Sequence, residues 1–262
     1  MSLPRLEIAD LRIAFGPRVV ADIPHLTIAA GEIVGLAGES GSGKSITATA
    51  IVGLARTVGA AVTGSIRLDG LELVGLPDRA LREIRGRRIA MIFQSPVGSF
   101  NPVFKVGDVF VRALRLHGTS KDEANERARR ALEEVLLSSH LLDRYPHQLS
   151  GGQAQRVAIA LALALRSEVL LADEPTSALD VTVQAEILDL LRRLRRETGV
   201  SVLFISHDLA VIAELCDRIA VMKSGHIVEV GRARDVLTNP RDPYTRELVA
   251  SVPRVGAGLV TG

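Results

Sequence analysis

The stretch GESGSGKS, Gly38 to Ser45, stands between an apolar run, EIVGLA, and a segment with helical periodicity from about Lys44 to Ala55. Its spacing is G-x-x-x-x-G-K-[ST], the loop that joins a strand to a helix and wraps its backbone around phosphate. Gly41 and Gly43 carry no side chains, so successive N–H groups can surround an anion at the positive end of the helix. Lys44 adds a cation, and the Ser45 hydroxyl can ligate Mg²⁺. Gly38, Glu39, Ser40, Gly41, Ser42, Gly43, Lys44, Ser45 and Ile46 are therefore the expected phosphate-binding set. The loop alone does not specify the phosphoryl chemistry.

Two distant motifs narrow that chemistry. VLLADEP, Val169 to Pro175, reads as an apolar strand ending in adjacent acids, and neighbouring strand side chains point to opposite faces. Asp173 is placed to hold Mg²⁺ through its water shell, and Glu174 to reach an attacking water as general base. In isolation the same pair could cap a solvated turn. LSGGQ, Leu149 to Gln153, precedes the apolar helix AQRVAIALALAL. Ser150 is a natural N-cap, and Gly151 and Gly152 expose bare donors where the helix dipole amounts to about half a charge. By spacing alone this is either a second anion-binding helix start or an ordinary cap before a core helix. One lysine loop with two phosphate-facing helix ends favours two chains closing around shared ATP.

The rest of the chain fits an α/β frame. LEIADLRIAF, HLTIAAGEIVGLAG and SIRLDG read as strands, as do EVLLAD, VSVLFIS and a hairpin-like pair, IAVMK and HIVEV, about Ser224-Gly225. Uninterrupted apolar strands of this kind are buried on both faces of a mostly parallel sheet. SKDEANERARRALEEVLL reads as a helix with a Ser120/Glu123 capping box, Glu123/Arg127 and Glu126/Arg130 pairs, and a buried stripe of Ala128, Leu132, Val135 and Leu136. A further helix spans Val181 to Glu197, closed by Gly199; Ile187, Leu188, Leu191 and Leu194 face the core, and Arg192, Arg193, Arg195 and Arg196 form a solvated face. The segment after Asn239, with Pro240, Pro243 and Pro253, reads as peripheral. The expected organisation is a nucleotide-binding core of residues 1–94 and 166–235, a helical insert of residues 95–165 and a tail of residues 236–262.

Composition excludes several classes. At 262 residues and 47% hydrophobic, the chain is no disordered polymer. Lys plus Arg number 32 against 30 Asp plus Glu, and the resulting +2 demands no nucleic acid partner. A single cysteine, Cys216, excludes internal disulfides and reads as a small buried hydrophobe in a reducing compartment. His117, His140, His147 and His226 lack ligand spacing. The longest apolar stretch, Val157 to Leu165, falls far short of the ~20 residues that span a bilayer. Arg5, Glu7 and Asp10 stand where a signal peptide needs an apolar centre, so a cytosolic, unexported chain is expected.

GESGSGKS, Gln94, LSGGQ, VLLADEP, SALD and FISHD, in this order, resemble the ATP-binding subunit of an ABC transporter. LSGGQ separates that family from kinases and GTPases, which share only the phosphate loop. The resemblance implies a RecA-like α/β core with an antiparallel β part and a helical subdomain. It also implies head-to-tail dimers, each ATP lying between one subunit's lysine loop and the other's Ser150, Gly151, Gly152 and Gln153. Phe15 resembles the aromatic that stacks on adenine, Gln94 the glutamine that touches Mg²⁺ and the attacking water and senses the membrane subunits, and His207 the histidine that contacts the γ-phosphate. Ser177 to Asp180 resembles the loop that links the two sites.

QSPVGSFNPVFKVGDV and NPRDPYTRELVASVPR are similar to stretches in ATPases of the oligopeptide, dipeptide and nickel importer family. This resemblance implies a subunit peripheral to the cytoplasmic face of the membrane. Its partners would be two integral membrane permeases, a second ATPase (a copy or a paralogue) and, indirectly, a substrate-binding protein. Many members carry a Cys-rich tail that holds an iron–sulfur cluster; no cysteine lies beyond Cys216, so these residues cannot hold one. Ala154 stands where an arginine is common. The alternative is a non-transport ABC ATPase in translation or DNA maintenance, against which only residues 46–148 lie between loop and signature, without sustained heptads.

Overall fold

The computed structural model describes residues 3–177 and 179–251, apart from the side chains of Pro96 and Val97. Its strands are β1 (Leu6–Phe15), β2 (Arg18–Ile28), β3 (Ile33–Ala37), β4 (Ala61–Leu68), β5 (Leu71–Glu72), β6 (Ile89–Ile92), β7 (Val169–Asp173), β8 (Ser201–Ile205), β9 (Arg218–Lys223) and β10 (His226–Arg232). The helices are α1 (Lys44–Ile51), α2 (Asp78–Ile84), α3 (Pro96–Ser99), α4 (Val106–Leu116), α5 (Lys121–Glu134), α6 (Gly151–Leu165), α7 (Val181–Thr198), α8 (Leu209–Leu215), α9 (Ala233–Thr238) and α10 (Pro243–Ala250).

The strands form one sheet in the order β5-β4-β1-β2-β10-β9-β3-β8-β7-β6. From β9 to β6 neighbouring strands run parallel, whereas β2, β1, β4 and β5 pair antiparallel and join the rest through β10. Every residue of β3, β7 and β8 is buried, as continuous apolar runs between two layers must be. Alternation divides them between two cores. Ile33, Ala37, Val202 and Phe204 pack with helices α4 to α8, while Val34, Leu36, Leu203 and Ile205 pack with α1 and the antiparallel strands. After β3 the chain passes through β4 and β5 at one edge of the sheet and re-enters its parallel part at the opposite edge in β6; within that part β3 is flanked by β8 and β9, and the change of direction leaves a crevice at the carboxyl end of β3.

Helices α3 to α6 lie between β6 and β7 in the chain. Ser120 caps α5 by accepting from Glu123 N at 3.2 Å, and Arg127 and Arg130 pair with Glu123 and Glu126. Ala128, Leu132 and Val135 are buried, but Leu136 is 59% exposed: the helix stops at Glu134, and Leu136 takes a left-handed φ of 59° outside the stripe. Helix α1 ends at Ile51 rather than near Ala55, and β4 begins at Ala61, ahead of Gly64.

The arginines of α7 are not uniformly solvated. Arg192 pairs with Asp189 and Glu214, and Arg195 donates to Gly31 O at 2.6 Å and to Asp217 Oδ1 at 3.0 Å. Cys216 is buried, and burial pushes its thiol far above the ordinary range.

Candidate nucleotide site

The loop after β3 leaves the sheet beneath β9 and β2. An added Cβ at Gly38 would lie 2.1 Å from Met222 O on β9, and one at Gly43 2.7 Å from Val20 O on β2. Side-chain-free backbone at both positions is thus fixed by packing as well as by phosphate chemistry, a constraint hidden in the sequence. Gly41 instead faces open space, with nothing within 4 Å of an added Cβ.

Lys44 turns back into this loop. Its Nζ donates to Gly38 O and Glu39 O at 2.7 Å each and to Ser42 Oγ at 3.3 Å. Burial lowers the Lys44 ammonium from its ordinary value against the attraction of Glu174, Asp173 and Glu39. Burial likewise raises the Asp173 carboxyl, with the Ser45 hydrogen bond opposing the rise and Glu174 adding to it. Ser45 Oγ donates to Asp173 Oδ1 at 3.1 Å.

These features fit both members of a metal–polyphosphate pair. The Ser45 hydroxyl on α1 and the Asp173 carboxylate at the end of β7 are adjacent hard oxygens that suit Mg²⁺, and the desolvated Lys44 ammonium beside the glycine loop suits phosphate oxygens. Each incoming charge would offset the desolvation of the side chain opposite it.

A cavity of about 240 Å³ over the loop gathers Phe15, Ser40, Gly41, Gly43, Lys44, Ser45, Ile46, Gln94 and Glu174 from distant parts of the chain. Phe15, at the end of β1, is 37% exposed. Glu174 stands just beyond β7 with a left-handed φ of 49°. Gln94 Nε2 donates to Glu174 Oε2 at 3.5 Å, and His207 Nδ1 lies 2.9 Å from Glu174 Oε1. His207 lines an adjoining cavity of about 160 Å³ with Thr176, Ser177 and Gln184.

Ser150, Gly151, Gly152 and Gln153 lie outside the cavity. They form the tip of α6: Ser150 Oγ accepts from Gln153 N at 3.2 Å and Gln153 Oε1 from Ser150 N at 3.0 Å, while Gly151 is exposed. Asp180 caps α7 by accepting from Val183 N at 3.1 Å. Of the SALD loop, Ala178 lies outside the described residues, as do Pro253 and the rest of residues 252–262.

One residue of this region is invisible in the motifs. Tyr244, expected to be peripheral, is 4% exposed and accepts a hydrogen bond from Glu39 N at 3.0 Å, with Lys223 Nζ 4.5 Å from its ring centre. Asp242 caps α10 and Pro243 opens it, local signals for a helix start; nothing local says that the helix lands on the phosphate loop. Tyr244→Phe deletes only the hydroxyl that holds Glu39. It is expected to weaken ATP binding about three- to tenfold while changing stability by about 1 kcal/mol, as fluorescent-nucleotide titration and thermal melting would measure.

A strand–loop–helix phosphate cradle, an acidic pair at a neighbouring strand end and a capped Ser-Gly-Gly helix tip define a P-loop nucleotide-hydrolase cassette. The chain belongs to the ABC transporter family, whose model matches residues 22–177; a model described as the oligopeptide/dipeptide transporter C-terminal region matches residues 228–260. It is 45% identical over 266 residues to the oligopeptide transport ATP-binding protein OppD of Salmonella typhimurium, covering 98% of this chain and 79% of that protein. To the glutathione import ATP-binding protein GsiA of the same organism it is 46% identical, covering 96% of this chain and 42% of that one.

Among solved structures, a dimeric post-hydrolysis state of the ATP-binding cassette MJ0796, bound to ADP and Pi, superposes with a TM-score of 0.77 at 29% identity, covering 87% of this chain and 99% of that one. CbiO1 of Clostridium perfringens, part of an ABC transporter complex, gives 0.75 at 27% identity over 96% of this chain and 97% of that one. No helix among the described residues is long and apolar enough to cross a membrane.

Proposed function

We propose that the chain is the ATP-hydrolysing subunit of a bacterial importer of peptides, or of nickel or metal chelates, working at the cytoplasmic face of the membrane with separate permeases. The observation that carries this is the cavity in which Phe15, Lys44, Ser45, Gln94 and Glu174 meet. Phe15 offers a ring face to adenine, and the amides of Gly41 to Ile46 with Lys44 hold the phosphates. Ser45, Asp173 and Gln94 are the residues to hold Mg²⁺, which when bound supplies charge neutralisation at the phosphates.

Glu174 accepts a proton from water as its oxygen bonds to the γ-phosphorus. The bond from that phosphorus to the bridging oxygen breaks, and ADP and phosphate leave. His207 orients the carboxylate through Nδ1, and its imidazole would contact the γ-phosphate.

The tip of α6 completes the site of a second ATPase subunit. Nothing among the described residues lies within 4 Å of a Cβ added at Gly151, so packing within the chain does not require a glycine there, as expected where another chain's phosphate approaches bare backbone. Asp180, which caps α7, and the neighbouring Ser177 and Leu179 would meet that partner.

An apolar groove of about 280 Å³, lined by Met91, Phe93, Phe100, Val109 and Leu161, includes the residue preceding Gln94 and suits a permease loop outside the bilayer. Movement there would reach the water-side carboxylate through Gln94. The relatives named above are ATP-binding proteins of peptide or glutathione import, which favours the importer over a role in translation or DNA maintenance. The test is isolation of the tagged chain from membranes: two integral membrane proteins should accompany it, and proteoliposomes of that complex with a binding protein should take up peptide only with ATP. Ribosomes or DNA in their place would refute the importer reading.

A further inference from the structure

We propose that Gln155 is a positioning residue for Glu174, tying the signature helix to the hydrolytic carboxylate within one chain. Gln155 lies in the second turn of α6 and is fully buried. Its Nε2 donates to the main-chain oxygen of Glu174 at 3.3 Å. The same oxygen accepts from Ser177 N at 3.3 Å and Ser177 Oγ at 3.1 Å, while Glu174 N donates to Ile205 O at 2.9 Å.

Those contacts hold Glu174 at φ 49°, a left-handed conformation that an L-residue with a side chain adopts only when its surroundings impose it. From that backbone the carboxylate reaches Gln94 on one side and His207 on the other. In an extended conformation the strand's alternation would swing it away from both.

A second observation concerns cost. The other end of the amide, Gln155 Oε1, is buried without a hydrogen-bond partner among the described residues. Burying an unpaired acceptor disfavours the folded state, and an unbranched apolar side chain of similar length would fill the space without that penalty. A buried glutamine that is half satisfied is poor stabilisation and good placement. The group it places is the main chain of Glu174.

The proposal rests on Glu174 being the general base, so the test pairs two variants in the chain assembled with its transport complex. Gln155→Met keeps length and packing and removes the donor. Its kcat for ATP should fall about tenfold or more, with KM unchanged within about twofold, since only the geometry of proton abstraction is disturbed. Its melting temperature should be equal to or above that of the unmodified chain.

A Gln155→Met protein with unchanged kcat, or one in which kcat, KM and melting temperature all deteriorate together, would overturn the assignment. Glu174→Gln separates the two claims. Brisk hydrolysis by Glu174→Gln removes the base itself and the proposal with it, whereas a dead Glu174→Gln beside a fully active Gln155→Met removes only the positioning role.

Discussion

Glu174→Gln is expected to bind ATP as tightly as the unmodified chain and to hydrolyse it at least about 100-fold more slowly. The carboxamide keeps the size of the side chain and can still bond His207 Nδ1, which lies 2.9 Å from one carboxylate oxygen, so the cavity should keep its shape. What it loses is the capacity to take a proton from water. The elements proposed to bind phosphate, Lys44 and the loop amides, are untouched, so affinity and turnover should separate cleanly. With hydrolysis blocked, two ATPase subunits closed on shared nucleotide should accumulate, visible as a shift to dimer in size-exclusion chromatography with ATP. Rapid phosphate release by this variant would take Glu174 out of its role. His207→Ala should have a smaller effect, because it removes the group that orients the carboxylate rather than the carboxylate itself.

The parts of the site that can be read along the chain are those whose structure is local. A strand, a glycine loop and a helix succeed one another without interruption around Lys44, and the acidic pair sits where β7 runs out. The tip of α6 is equally legible, because Ser150 and Gln153 satisfy each other three residues apart. Contacts that join distant segments are not. Tyr244 meets Glu39 across 205 residues of chain, and only the docking of α10 against the sheet brings it there. Met222 and Val20 press on the loop from strands whose sequences give no sign of that neighbour.

Strand order is illegible for the same reason: placing β3 between β8 and β9 depends on how two cores close over the sheet, and the apolar runs themselves are interchangeable. Leu136 illustrates the converse error. Its spacing continues a buried stripe, but the helix has already ended, and periodicity carries no meaning beyond the last helical turn.

Gly38→Ala should damage both folding and nucleotide binding, although a single methyl is added outside the phosphate-binding helix. The two strands beside it cannot yield. Ala37 pairs with Val221 in the parallel ladder of β3 and β9, and both strands are almost wholly buried, so the loop emerges directly against Met222. An added Cβ would sit 2.1 Å from Met222 O and 3.0 Å from Ser42 Oγ, and φ at this residue is 147°. Relief requires moving the loop away from β9, which also moves Gly38 O, one of the oxygens that hold Lys44.

Overpacking of this kind costs about 1–3 kcal/mol. For a chain of this size the loss corresponds to a melting temperature lower by roughly 2–10 °C. ATP affinity should fall further still, since the cradle itself is displaced. Gly41→Ala is the control: nothing stands within 4 Å of its added Cβ, so its stability should change little beyond the strain of φ 78°, while the methyl projects beside the phosphate cavity and weakens binding. Calorimetric melting with and without ATP distinguishes the two. A Gly38→Ala protein that melts like the unmodified chain would show that the loop tolerates displacement, and that the contact with β9 does not hold it in shape.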